Sequence, residues 1–516
     1  MEERRYMYSQ VMSGTILGIQ GVMIQVETDC SDGLPGFHLV GCLSNEIRES
    51  GERIRTAIRN AGYTLPAKKV VVNLSPADMK KNGSGFDLPI AIGILVSLGC
   101  IPPACIQAMV IIGELGLDGR ILPVTGVLPI ADAAKEAGYS VMVVPKENQE
   151  EASYVEGLQI VSATTLQELV SQLVSGTQNI VPNKHEAKEI QTEAMADFGE
   201  LKGLPVLRRA MEIAASGMHN LLMAGPPGSG KTLAAKCLAG ILPKLTTGEQ
   251  MELTKIYSVR GLLPQTGGLI RNRPFRSPHH TITTSSLLGG GSVPKPGELS
   301  LAHTGVLFLD ELPEFSRNTI EALRQPLEEG SVTIGRLQAT CQFPARIMLV
   351  AAMNLCPCGS YPNRNRCHCT PYQIQNYQNR VSRAILDRID IWVGVSPISY
   401  RELTQAEEWE TSASIRKRVT RVHQLQQERY RQHTFQFNAQ LNQRGIEEYC
   451  RLTEAGTEFL REIYEGQQLS NRSYYRILKV ARTIADMEGS EAIEVWHLQE
   501  AAAYRFMETE RGEVCG

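Results

Sequence analysis

One short stretch, residues 221–238, constrains the fold more than any other. Leu221, Leu222 and Met223 run into Gly225, Pro226, Pro227, Gly228, Ser229, Gly230, Lys231 and Thr232, and an apolar helical segment, residues 233–238, follows at once. A strand, a glycine loop and a helix in that order make a phosphate cradle. The glycines let successive backbone N–H groups turn inward around an anion, and the N-terminus of the next helix adds its positive dipole. Lys231 is then placed to neutralise β- and γ-phosphate charge, and Thr232 to ligate Mg²⁺.

Residues 305–311, Gly-Val-Leu-Phe-Leu-Asp-Glu, read as an apolar strand ending in two carboxylates. Asp310 is expected to hold Mg²⁺ through water, and Glu311 to polarise the attacking water as general base. The next apolar strand, residues 347–352, ends at Asn354. Its amide can orient that water beside the γ-phosphate, the sensor position of an AAA+ ATPase. ATP and Mg²⁺ are therefore the expected cofactors.

Four of the chain's 12 cysteines, Cys356, Cys358, Cys367 and Cys369, form a C-x-C, eight-residue, C-x-C pattern directly after this strand. Four thiolates match a closed, structural tetrahedral zinc site. The alternative is a loop of free thiols. The other cysteines are scattered and read as ordinary thiols of a reducing compartment.

With 52 Lys and Arg against 55 Asp and Glu, the formal net charge is −3, so any polyanion contact must come from local patches. The N-terminal Met-Glu-Glu-Arg-Arg segment has no apolar core of a secretory signal. The longest apolar run, residues 88–101, is shorter than the roughly 20 residues that span a bilayer and reads as a buried helix. A cytoplasmic location with no membrane partner is the expectation.

At about 150 residues per domain, 516 residues suggest about three domains. Residues 1–176 mix strand and helix signals: 15–28 alternate as one half-buried strand, 69–74 are β-branched, and 46–61 place Ile47, Ile54, Ala57 and Ile58 on one helical face. Asp118-Gly119 marks a hairpin turn. Residues 177–196 are polar and read as a linker. Residues 197–397 alternate short strands with helices, which predicts a mostly parallel sheet covered on both faces. Residues 398–516 are helical, with Ile415, Val419 and Val422 on one face. The fold class is thus α/β and multidomain.

Across nearly its whole length the chain resembles the YifB/ComM family of magnesium-chelatase-like AAA+ proteins. The blocks His-Asn-Leu-Leu-Met-Ala-Gly-Pro-Pro-Gly-Ser-Gly-Lys-Thr, Arg-Pro-Phe-Arg-Ser-Pro-His-His and Leu-Asp-Arg-Ile-Asp carry that resemblance. It implies a homo-oligomeric ring, expected to be hexameric, with a P-loop AAA+ core and a C-terminal helical lid. It implies ATP-driven branch migration, a helicase-like activity on single-stranded or branched DNA, during recombination of incoming strands in natural transformation. By family position, Arg388 is the arginine finger reaching a neighbour's γ-phosphate, and Arg472 is the sensor-2 arginine. Residues 382–385, Ser-Arg-Ala-Ile, depart from the family's usual Ser-Gly-Pro-Leu.

The N-terminal domain is similar to Lon-protease domains (a ribosomal S5 domain 2-like fold). Gly85 stands where the nucleophilic serine belongs and Leu128 where the lysine belongs, so the dyad of such a peptidase is missing. Ser84 is adjacent but has no evident base. Candidate DNA contacts are the hairpin at residues 329–336, the loop at 289–295, and a basic segment of Arg271, Arg273, Arg276, His279 and His280. Arg416, Lys417, Arg418 and Arg421 read as a solvent-facing helix surface. The alternative function is a magnesium chelatase ATPase subunit inserting metal into a porphyrin.

Overall fold

The computed structural model describes residues 7–177, 180–181, 196–263, 268–336, 339–363, 365–398 and 409–505. The N-terminal region is built on an eight-stranded mixed sheet. Its centre is an antiparallel hairpin of Tyr8–Leu17 and Gln20–Ser31, with Leu17 opposite Gln20. The single strand expected over residues 15–28 is therefore two strands. Gly18 and Ile19 make the reversal without the Asn-Gly or Asp-Gly signature of a tight turn, so alternation alone did not mark it. Lys69–Ser75 continues the sheet on one side, and Met109–Ile111, Val141–Pro145 and Gln159–Ala163 on the other. Asp118-Gly119 does lie in a hairpin, between Glu114–Leu115 and Ile121–Leu122.

The apolar run forms the helix Asp87–Ser97, in which every residue is buried. Among the described residues no helix is long and apolar enough to cross a membrane. Of the polar stretch 177–196, Ile180–Val181 pair antiparallel with Gln159–Ala163 as an edge strand, while residues 178–179 and 182–195 lie outside the described residues.

The central region holds a five-stranded sheet in the order Phe275–Arg276, Val306–Leu309, Met348–Met353, Leu221–Ala224, Ile391–Gly394, every neighbouring pair parallel. The three middle strands are buried at each position, as strands covered by helices on both faces must be. One apolar cluster, including Met211, Leu221, Leu238 and Val393, continues without a break into Val419, Ile477 and Ile484 of the C-terminal helices. The principal helices of that region are Ser412–Arg429, Glu454–Gly466, Asn471–Glu488 and Val495–Ala503.

Polar contacts reinforce this packing. The Arg416 Nε donates to the Gly240 carbonyl at 2.9 Å, at the end of the helix Lys231–Ile241, and Arg418 pairs with Glu212 at 2.6 Å. These two residues fasten the C-terminal helices to the core; Arg416 is half-buried, which corrects its reading as solvent-facing charge, whereas Arg418 keeps an exposed side chain as expected. Lys417 and Arg421 do face solvent. The N-terminal region meets the core through the helix Thr247–Arg260: Lys255 pairs with Asp132, and Ser258 donates to Glu151 at 2.5 Å. Burial pushes the Glu151 carboxyl above its ordinary range.

Candidate nucleotide site and cysteine cluster

Parallel pairing places the C-terminal ends of three adjacent strands on one edge of the sheet. Leu221–Ala224 leads into the glycine loop, Val306–Leu309 into Asp310 and Glu311, and Met348–Met353 into Asn354. Ligands of open α/β sheets bind outside such carboxyl ends. The strand bearing Asn354 lies between the other two, so its amide falls between loop and acids.

The loop is shaped for an anion. Gly228 and Gly230 take left-handed torsions, φ +73° and +85°, that L side chains rarely adopt. Lys231 is buried, its ammonium donating to the Gly225 and Pro226 carbonyls at 2.9 and 2.8 Å and lying 3.4 Å from Asn354 Oδ1. Burial lowers its pKa, opposed by the charges of Asp310 and Glu311. The Ser229 hydroxyl is buried without a protein partner among the described residues. An orphaned hydroxyl and a buried ammonium within a glycine cradle fit a phosphate group.

Thr232 Oγ1 donates to Asp310 Oδ2 at 2.8 Å, which puts a hydroxyl and a carboxylate together as a hard-cation ligand pair suited to Mg²⁺. Glu311 adopts φ +52°, an uncommon torsion for a residue with a side chain, and its carboxylate lies 3.6 Å from His280 Nδ1. The His279 and His280 rings lie with centroids 4.0 Å apart, tilted by 34°. His280 was expected at DNA; the structure sets it beside the general-base position. No spacing rule could have paired residues 280 and 311. A cavity of about 640 Å³ opens beside Thr232, lined by Lys236, Arg276, His279, Thr281 and Glu298 among others.

Within the basic segment one arginine is buried and a second is tied into an ion pair. Arg273 is buried, donating to the Thr304 carbonyl at 2.6 Å and pairing with Glu249 at 3.2 Å. Arg276 forms a two-pronged pair with Glu298 at 2.7 and 2.8 Å. Both arginines are thus engaged by carboxylates of the fold. A buried guanidinium needs such partners, and composition does not show burial.

Arg388 is 7% exposed, donating to the Arg324 carbonyl at 3.2 Å and the Ala384 carbonyl at 2.5 Å and pairing with Glu328. Arg472 is exposed and makes a long 3.4 Å contact with Asp387. One turn further along the same helix Arg476 pairs with buried Asp390, which also lies 3.3 Å from His219 Nδ1. Ser331–Arg336 pair antiparallel with Ala339–Pro344, so the pairing reaches beyond the expected residues 329–336 to Pro344, and residues 337–338 lie outside the described residues. The loop at residues 289–295 closes a small second hairpin, Gly289–Gly290 with Lys295–Pro296, and Lys295 is exposed.

The Sγ atoms of Cys356, Cys358, Cys367 and Cys369 all lie within 4.8 Å of one another, and the four are not joined as disulfides. In the N-terminal region Leu128 is fully buried, and Ser84 donates to the Glu114 carboxylate.

A parallel sheet with a glycine loop, two acids and an asparagine on one edge defines a P-loop ATPase core. Residues 197–403 match the family described as magnesium chelatase, subunit ChlI, residues 26–148 match subunit ChlI of Mg-chelatase, and residues 409–505 match the subunit ChlI C-terminal family. The chain is 41% identical over 505 residues to competence protein ComM of Haemophilus influenzae, covering 96% of this chain and 97% of that one. It is 40% identical over 492 residues to the uncharacterized protein YifB of Salmonella typhimurium, covering 95% of each. The chain belongs to the YifB/ComM family of magnesium-chelatase-like AAA+ proteins, and membership implies ATPase activity. A 172-residue stretch is 27% identical to Lon protease 2 of Bacillus subtilis, covering 31% of each chain.

Proposed function

We propose that this protein is a cytoplasmic, ATP-hydrolysing ring motor that moves DNA strands, acting in branch migration as incoming single strands recombine. The supporting observation is the convergence of Lys231, Thr232, Asp310, Glu311 and Asn354 at one sheet edge, on a chain similar end to end to a competence protein. In this reading the backbone N–H groups of residues 225–230, the Ser229 hydroxyl and Lys231 bind the phosphates. Thr232 and Asp310 hold Mg²⁺, which when bound offsets the charge of the phosphate oxygens. Asn354 orients a water, and Glu311 takes its proton as the oxygen bonds to the γ-phosphorus and the bond to the bridging oxygen breaks. Arg388 and Arg472 act at the phosphate from a neighbouring subunit or their own. For Arg388 this requires release of the Glu328 pair, whereas exposed Arg472 needs only a side-chain swing.

Head-to-tail contacts in a hexamer bring each finger to the next ATP. The paired strands Ser331–Arg336 and Ala339–Pro344 and Lys295 then contact single-stranded or branched DNA in the channel. The cysteine cluster holds a structural Zn²⁺. The N-terminal domain has the Lon-like fold without its peptidase: Leu128 offers no base, and the partner of Ser84 is a carboxylate.

Steady-state ATPase with and without single-stranded or branched DNA, with Glu311→Gln as control, tests the reading. DNA stimulation that Glu311→Gln abolishes supports it. Absence of both stimulation and salt-sensitive DNA binding overturns it.

A further inference from the structure

The cysteine cluster sits against the phosphate loop, and this contact joins two features that the sequence presents separately. Three of the sulfur separations are 3.3, 3.7 and 3.6 Å, for Cys356–Cys358, Cys356–Cys367 and Cys358–Cys367. These are far from the roughly 2.05 Å of a disulfide, and close to the separation of about 3.8 Å that four thiolates take around Zn²⁺ at Zn–S of about 2.3 Å. The Tyr361 N–H donates to Cys356 Sγ at 3.3 Å, the outer-shell hydrogen bond that orients a metal-bound thiolate.

The opposite side of the knuckle touches the nucleotide loop. Gly359 adopts φ +77°, and a Cβ there would lie 2.6 Å from Pro227 Cδ and 3.0 Å from Cγ. Only glycine permits that approach. On the N-terminal side, Leu355 alone separates Cys356 from Asn354, whose amide faces Lys231. The Leu355 carbonyl is held by Gln378 Nε2 at 2.9 Å, and the Gly225 N–H by the Met353 carbonyl at 3.1 Å. Residues 353–359 therefore touch the glycine loop at Gly225, Pro227 and Lys231.

We propose that Zn²⁺ bound by the four thiolates braces the phosphate loop through the Gly359–Pro227 contact and Asn354, so that metal occupancy sets nucleotide affinity. Each thiol gives up its proton to solvent as the ion binds, leaving a closed four-sulfur site with no open position. Without the ion, four thiols in a loop of residues 356–369 rich in Pro, Asn and Arg no longer hold one geometry, and Pro227 and Asn354 lose their backing. The metal thus acts on ATP through packing alone. This rests on the ATPase reading above, and the test separates the two.

The full-length protein is assayed for zinc by elemental analysis and for affinity toward a fluorescent ADP analogue, with no DNA present. The wild type is expected to carry about one zinc per chain. A Cys367→Ser/Cys369→Ser variant should lose the metal and bind the nucleotide roughly tenfold or more weakly. Gly359→Ala should keep the zinc yet lose nucleotide affinity, because its methyl group displaces Pro227. Should the double variant fail to fold, wild-type protein stripped of zinc by a chelator takes its place, with the same loss of nucleotide affinity expected and an unchanged affinity overturning the proposal. Wild-type zinc near zero overturns the proposal, as does unchanged nucleotide affinity in a folded, metal-free double variant or in Gly359→Ala. A wild type that carries zinc but binds no nucleotide also overturns it, and the retained metal shows that the ATPase reading is what failed.

Discussion

Thr232 and Asp310 are joined by a 2.8 Å hydrogen bond across two strands that are not neighbours in the sheet. The bond closes the first turn of the helix after the glycine loop onto the acidic end of Val306–Leu309, so both proposed Mg²⁺ ligands are positioned by backbone elements. Replacing Thr232 with Ala should raise the Mg²⁺ concentration needed for half-maximal ATPase about tenfold, while Asp310 stays in place. A Mg²⁺ titration of the variant checks this.

Glu311 and Asn354 should separate binding from chemistry. Glu311→Gln removes the proton acceptor but not the cradle, so turnover should fall on the order of 10²- to 10⁴-fold with nucleotide affinity nearly unchanged. Asn354→Ala also frees the Lys231 ammonium from its amide contact, and should lower kcat on the order of 10²-fold with a smaller change in KM. Single-turnover hydrolysis beside equilibrium nucleotide binding measures both.

Asp390 holds the core to the C-terminal helices from a buried position. It pairs with Arg476 of the helix Asn471–Glu488 and lies 3.3 Å from His219, and the Arg476 charge and the His219 hydrogen bond hold its carboxyl well below the usual carboxylate range despite burial. Asp390→Ala leaves a guanidinium and an imidazole without their anion and should destabilise the protein by about 3–5 kcal/mol. Denaturant unfolding of the variant should show an earlier midpoint.

His423 predicts a pH dependence. Fully buried, with Nε2 2.8 Å from the Ala215 carbonyl, its imidazole is pushed down to about 4 from 6.5 by burial. A depressed folded pKa means that the unfolded chain binds the proton first. The stability is therefore complete above pH 6.5 and is lost as pH falls toward 4, by about 3 kcal/mol over that window. His423→Gln should flatten the fall in Tm between pH 7 and pH 5 relative to the wild type, as read by thermal melts.

The candidate site divides sharply between what was legible and what was not. Residues 225–232 could be read directly because a phosphate loop is local: torsions of successive glycines and the start of one helix decide it. Val306–Leu309 and Met348–Met353 were legible as apolar strands, and their polar ends followed from strand polarity. Charge was misleading. Arg273, Arg276, Arg416 and Arg418 read as surface cations, and the fold engages each with a carboxylate or carbonyl from a distant segment. The reversal at Gly18-Ile19 was hidden because a two-residue turn between similar strands need not interrupt an apolar alternation.

By itself, then, the sequence determined that there is a phosphate loop, two acids, an asparagine and four clustered cysteines, since each is a property of a few contiguous residues. Only the tertiary structure decided that Asn354 stands between loop and acids, that His280 approaches Glu311, that Arg388 is held by Glu328 and that Gly359 presses on Pro227. Those relations join residues from 31 to 132 positions apart (280 to 311 and 227 to 359). Contacts at such separations follow from strand order and close packing, which no local propensity encodes.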